Sequence, residues 1–194
     1  MSALTPQAIW RIALNPANSQ VLYAGTNQDG IWKSTDEGNT WQLAGSPGSS
    51  PVNSLIVDPS GAHTIYAGTN GGGVWTSSDG GASWQTTAIS SGMVWSLALD
   101  SAGALYAGTN AAGAQVSRDQ GATWTVLNTG IDGANKFGSG IWIGPGNGAK
   151  MFVSSELGYG AVWSQDAAHP GPSPDTASLR TDRAESPSIR RTRG

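Results

Sequence analysis

The sequence predicts an all-β protein: a β-propeller of four-stranded antiparallel blades, incomplete, with three full blades, most of a fourth, and a disordered C-terminal tail. Three observations predict it. A unit recurs every 40 to 43 residues, each unit holds four short β-prone runs, and no unit has helical periodicity. "YAGTN" stands at Tyr23, Tyr66 and Tyr106, spaced by 43 and 40 residues, and Asp36, Asp79 and Asp119 keep the same spacing. A flat sandwich of such strands would not demand a fixed period. Four strands in ~40 to 45 residues is the pattern of a propeller blade, whose radial repetition limits bare sheet edges.

The first strand of each unit is read in "WRIALNP" from Trp10, "NSLIVDP" from Asn53, "WSLALDS" from Trp95 and "SGIWIGP" from Ser139. The "YAGTN" runs form the second strand, with "MFVSSE" from Met151 as the fourth copy. The third strand carries Trp32, Trp75 and Trp163, read as one repeat position that packs within the blade. In the second unit Pro59 to Gly61, Asn70 to Gly73 and Asp79 to Gly81 supply the turns between strands. The blades are expected at about 9–44, 52–88, 93–128 and 139–166, with a separate segment at 167–194.

The most regular motif closes each unit: "STDEGNTW" (Ser34, Asp36, Gly38, Trp41), "SSDGGASW" (Ser77, Asp79, Gly81, Trp84) and "SRDQGATW" (Ser117, Asp119, Gly121, Trp124). An Asp in a tight turn accepts N–H bonds from the residues after it, and a Gly there can take positive φ. The Ser supplies a hydroxyl before the turn, and the Trp returns as an apolar anchor whose indole N–H needs one partner. A catalytic centre needs one constellation, whereas this one stands in every unit, so the motif is read as a structural box. The fourth copy keeps Ser164 and Asp166 and then breaks into "AAHPG".

The pattern S-x-D-x-G-x-[TS]-W, over about Ile9 to Asp166, resembles the Asp-box, or bacterial neuraminidase repeat, of sialidase-like propellers. That superfamily includes sialidases, xyloglucan-degrading glycoside hydrolases, the sortilin luminal domain and photosystem-assembly factors. The resemblance implies boxes on the hairpin joining strands three and four, away from the ligand face. The opposite face would then carry Asn27 to Gly30, Asn70 to Gly73, Asn110 to Gly113, Ser155 to Gly160, and the connections through Met93 and through Asp132 to Phe137. A sialidase site would need three arginines, a tyrosine nucleophile and its glutamate. The repeats hold only Arg11 and Arg118, and Arg11 sits in the register of Ser54 and Ser96, so that chemistry is not expected.

No catalytic residue stands out. A glycosidase needs two carboxyl groups roughly 5 to 10 Å apart. Asp58 and Asp100 share a repeat position with Asn15 and Gly144 and are read as turn formers. Asp29, Asp132 and Glu156 are not repeated and are the remaining acid candidates, with solvated loop positions as the alternative reading. Trp10, Trp95, Trp142 and Tyr159 are candidate platforms for stacking sugar rings.

Through Asp166 five basic residues stand against ten acidic ones, a net −5 with no basic stripe, which argues against nucleic acid as the ligand. There is no cysteine, and His63 and His169 lack metal-ligand spacing, so neither metal nor cofactor is expected. "TNGGGVW" precedes a strand, so no helix dipole stands behind it as a phosphate site would require. No run approaches the ~20 apolar residues of a membrane-spanning helix, and "MSALTPQAIW" has no basic start followed by an apolar run. The compartment is left open.

All nine Trp precede residue 167, and the last 28 residues hold no aromatic and a net +2. Such a segment cannot bury enough surface to offset its ordering entropy. Its origin has two readings. Codons GAC GGC GGC GCA CCC TGG encode "DGGAPW", and losing one G after the first yields "DAAHPG", the residues found, so a reading-frame slip explains the break. The alternative is an arginine-rich tail that binds an acidic partner. On either reading the propeller is unfinished. Protein or polysaccharide binding through the loop face is expected, with self-association possible through the unclosed blades.

Overall fold

The structure, a computed structural model, describes residues 8–47, 51–61, 63–110, 112–127, 138–143, 151–155 and 161–164, the last two segments and 138–139 by backbone alone. Asp132, Glu156, Tyr159, Asp166, the side chain of Ser164 and the whole 167–194 segment lie outside the described residues. The described residues are all-β, with no helix long and apolar enough to cross a membrane.

Blade 1 is β1 (Ile9–Asn15), β2 (Asn18–Thr26), β3 (Ile31–Ser34) and β4 (Gln42–Gly45), paired antiparallel in chain order. Blade 2 is β5 (Val52–Val57), β6 (Ile65–Gly71), β7 (Val74–Ser77) and β8 (Gln85–Thr86). Blade 3 is β9 (Gly92–Leu99), β10 (Leu105–Thr109), β11 (Gly113–Ser117) and β12 (Thr125–Val126). The fourth sheet has β13 (Gly138–Ile143), β14 (Met151–Ser155) and β15 (Ala161–Ser164). Blades 2 and 3 are also stitched together, because Asn70 and Gly71 of β6 pair with Met93 and Gly92 of β9. Met93, expected in a free connection, is therefore strand.

Tyr23, Tyr66 and Tyr106 stand opposite Ala13, Ile56 and Ala98, so the three units superpose residue by residue. Directly opposed residues share a sheet face. One face of blades 1 to 3 carries the tyrosine, and the other carries Ile12, Leu55 or Leu97, whose place in the fourth sheet is held by Ile141. The tyrosine face packs on the leucine face of the next blade: Ala13 and Tyr23 on Leu55 and Ala67, Tyr66 on Leu97 and Ala107, Tyr106 on Ile141. Stacked repeats thus bury a continuous core that no single blade could make.

The glycine of "YAGTN" is explained by this stacking. A Cβ on Gly25 would lie 2.7 Å from Val52 Cγ1, and one on Gly68 2.7 Å from Val94 Cγ1. The next blade's first strand rests on bare backbone there. Polar side chains complete the seams: Leu97 N–H donates to Ser54 Oγ (3.0 Å), Ile141 N–H to Ser96 Oγ (2.9 Å), and Asn53 Nδ2 to the Val94 carbonyl (3.0 Å).

One reading is corrected. Trp32 and Trp75 lie opposite Ala24 and Ala67, but Trp163 lies opposite Phe152, the position of Lys33 and Thr76. Trp163 is one residue out of step, and because successive strand residues alternate faces it belongs to the opposite side of its sheet. Val162 holds the place of Trp32 and Trp75.

Candidate ligand-binding site

The box residues build turns. Ser34 Oγ donates to Asp36 Oδ1 (2.8 Å) and accepts the Gly38 N–H (2.8 Å), while Asp36 accepts the Thr40 N–H and hydroxyl. Ser77, Asp79, Gly81 and Ser83 repeat the pattern, as do Ser117, Asp119, Gly121 and Thr123. Gly38, Gly81 and Gly121 have φ of 91°, 93° and 93°. Trp84 Nε1 spans the seam to the Ala44 carbonyl and also donates to Gly81, both at 3.2 Å, and Trp41 Nε1 donates to Gly38. Trp124 Nε1, by contrast, is buried without a partner, as is Trp32 Nε1. All three boxes join the third and fourth strands of a blade.

These bonds hold the carboxylates ionised. The Ser83 and Thr123 hydroxyls, then the N–H groups of the same residues, bring Asp79 and Asp119 down to about 2, and Asp36 is lowered by Thr40 in the same way. A folded pKa below the unfolded value gives stabilisation that is complete above the unfolded value and lost as pH falls through the folded one. The melting temperature is therefore expected to fall from about pH 4 towards about pH 2. Asp79→Asn should flatten that decline in thermal scans run across the same interval.

The turns at the opposite end also satisfy themselves. Thr26, Thr69 and Thr109 each donate a hydroxyl to the carbonyl four residues on, at Gly30, Gly73 and Gly113. Asp29 sits in the first of these, its N–H donating to Thr26 Oγ1 at 2.9 Å, and Ala112 holds the equivalent place in the third. Asp29 is thus a half-buried turn residue. Asp58 and Asp100 behave as read: Asp58 Oδ1 accepts the Ser60 N–H, and Asp100 Oδ1 accepts those of Ala102 and Ala104. No group of three or more acidic, His or Cys residues able to hold a metal occurs among the described residues.

The first strands of blades 1 and 3 and of the fourth sheet share one concave surface. A concave space of about 540 Å³ is lined by Arg11 of β1, Trp95 to Leu99 of β9, and Gly140 to Ile143 of β13. It brings together Trp95 and Trp142, two candidates that the repeat does not place at one position. Trp10 and Trp95 are both the extra residue of a bulge that recurs in the first strand of every blade. A bulge leaves its extra residue outside the ladder and re-aims the side chain. Trp142 instead takes the place of Ala13 and Ala98. Trp10 is exposed but does not line the concavity. Arg11 replaces the seam serine, projects into the concavity, and donates to the Trp10 carbonyl at 2.9 Å. Arg118 belongs to a box hairpin at the other end of its blade, so the two arginines form no common site.

The fold and its open arc define an incomplete β-propeller. Among solved structures it is similar to an ancestral GH74 enzyme, with a TM-score of 0.68 and 25% identity, over 84% of this chain and 25% of that one. The GH74 enzyme of Niastella koreensis gives 0.69 at 21% identity over 89% and 30%. YCF48 bound to D1 peptide gives 0.64 at 16% identity over 93% and 56%. The chain spans about a quarter to a third of the GH74 chains it resembles. No protein-family model and no curated protein matches the sequence.

Proposed function

We propose that this chain is a non-catalytic recognition part of a larger propeller, taking a segment of polysaccharide along its axial concavity. The observation that carries the reading is the convergence of Trp95 and Trp142 on one concave space with Arg11 at its margin. Indole faces offer large rigid apolar area at little entropic cost, which suits the C–H faces of sugar rings, and Arg11 adds donors for hydroxyl or carboxylate groups. The self-bonded state of the boxes and turns supports a scaffold role for the rest of the blade. Calorimetric titration with xyloglucan oligosaccharides and a β-glucan panel tests it. Trp95→Ala and Trp142→Ala are each expected to weaken binding about tenfold, equivalent to ~1.4 kcal/mol. Unchanged affinity in both variants would reject the site, and binding of peptides in place of glycans would reject the ligand class.

A second reading is a piece of a polysaccharide-acting glycoside hydrolase, favoured by the similarity to the GH74 structures. Asp29 would then be one acid, with its partner supplied from elsewhere in the ring. Release of reducing sugar that Asp29→Asn abolishes in the protein containing all its blades would select this reading over the first.

A further inference from the structure

We propose that the seam of blades 1 and 2 carries a binding site for a small oxyanion, the carboxylate or phosphate group of a ligand, held by Lys33 and His63 beside Gly80. The site lies at the box end of the blades and is independent of the axial concavity. A Cβ on Gly80 would lie 3.3 Å from Lys33 Nζ, 3.5 Å from Tyr23 Oη and 3.7 Å from His63 Nδ1. Polar groups from three elements thus converge on the space that this glycine leaves. β2 supplies the tyrosine, β3 the lysine, and the turn between β5 and β6 the histidine.

The repeat shows what is particular to this seam. Gly80 follows the box aspartate, where box 1 has Glu37 and box 3 has Gln120. All three take the left-handed conformation, with φ of 60°, 70° and 58° at residues 37, 80 and 120. The backbone there accepts a side chain, and a carboxylate or an amide stands at the other two copies. Lys33 is equally particular, because its place opposite the tyrosine is taken by Thr76 in blade 2 and Val116 in blade 3. Box 3, with its Gln120, therefore meets a threonine, whereas box 2, with its bare Gly80, meets a cation.

The cation is held in place. Lys33 Nζ donates to the Gly80 carbonyl at 3.2 Å and lies 5.4 Å from the centre of the Tyr23 ring. Tyr23 Oη gives its own proton to the same carbonyl at 3.2 Å, so it forms the floor of the site. An ammonium has three N–H donors, which leaves two for a ligand. Among the described residues neither Lys33 nor His63 forms an ion pair. Lys33 and Gly80 also border a concave space of about 180 Å³ with Thr35, Thr40, Gln42 and Asp79, room for the body of a small polar ligand. Asp79 is bonded to Ser77 and Ser83 of its own turn. Its charge repels a second anion, which places the oxyanion on the Lys33 and His63 side. Bonds there are charge-assisted and about twice as strong as neutral ones.

NMR titration of the 194-residue chain with sodium phosphate and with sodium acetate, at constant ionic strength in sodium chloride, tests the site. Saturable binding is expected, with a dissociation constant of about 1 mM. Lys33→Met should weaken it about tenfold or more. Gly80→Glu is the sharper variant, because Glu37 and Gln120 hold the same backbone conformation with side chains attached. Its carboxylate would take the ligand's place and abolish binding in a folded chain. A ligand that binds only the folded state raises the melting temperature. Phosphate should thus raise that of the parent and leave that of Gly80→Glu unmoved. Tighter binding of phosphate than of acetate assigns the group to a phosphate, the reverse to a carboxylate, and either sustains the site. No saturation by either anion overturns the proposal. Affinity unchanged in Gly80→Glu overturns it as well, whatever Lys33→Met does.

Discussion

Gly73→Ala is expected to destabilise the protein by about 4 kcal/mol or more, enough to unfold much of the population at room temperature. Gly73 has φ of 72°, and a Cβ there would lie 2.1 Å from the Ile89 carbonyl oxygen and 2.7 Å from the Ser91 nitrogen. Both are backbone atoms of the segment leading into β9, which the Gly73 N–H itself holds by donating to Gly92 at 3.1 Å. Relief would require moving the stitch between blades 2 and 3. Gly103 is the control, with φ of 83° and nothing within 4 Å of its Cβ position. Gly103→Ala therefore meets only the left-handed backbone penalty, about 1 to 2 kcal/mol. Urea unfolding of the two variants measures the difference, and equal midpoints would show that the seam yields where the geometry says it cannot.

Tyr106→Ala is the second large effect, expected at about 3 to 5 kcal/mol. The ring is fully buried between blade 3 and Ile141, and its hydroxyl meets Asp100 Oδ2 at 3.1 Å. Truncation removes ring contacts on both sides of a seam, whereas Tyr106→Phe removes the hydrogen bond to Asp100 and should cost about 1 kcal/mol. The pair separates packing from polarity. Burial, then the nearby Asp100 carboxylate, push the Tyr106 phenol up to about 12, and burial with Asp58 does the same for Tyr66. A raised folded pKa gives stability that is complete below the unfolded value and lost as pH rises through the folded one. Alkaline unfolding should thus begin above about pH 10, and Tyr106→Phe should shift part of that loss, as pH-dependent denaturation would register.

Much of the fold is legible in the sequence because each blade repeats a local solution. The box at Ser77 to Trp84 closes its own hydrogen bonds over eight residues, so its chemistry can be read without knowing what lies across the seam. The same holds for the Asp58 and Asp100 turns. The glycine of "YAGTN" is different: the sequence displays it three times, yet its cause is Val52 or Val94 of the following blade. The displacement of Trp163 is legible in the sequence as well: it stands one residue before Ser164, where Trp75 stands two before Ser77, and strand pairing sets it at the place of Thr76 in the same way.

The candidate site was visible only as separate residues. Trp95 and Trp142 are 47 positions apart and occupy different places in the repeat, and Arg11 stands at a seam position filled by serine in blades 2 and 3. The amino-acid sequence by itself determined the period, the four-stranded unit and the turn chemistry, since these depend on side chains bonding within a few residues of themselves. The arc of the blades alone decided that Trp95, Trp142 and Arg11 share one concavity, and that Ile12 stays open where Leu55 and Leu97 are covered. Both outcomes depend on which sheet lies against which. Packing of that kind is set by contacts between residues 40 or more apart, and no local pattern encodes it.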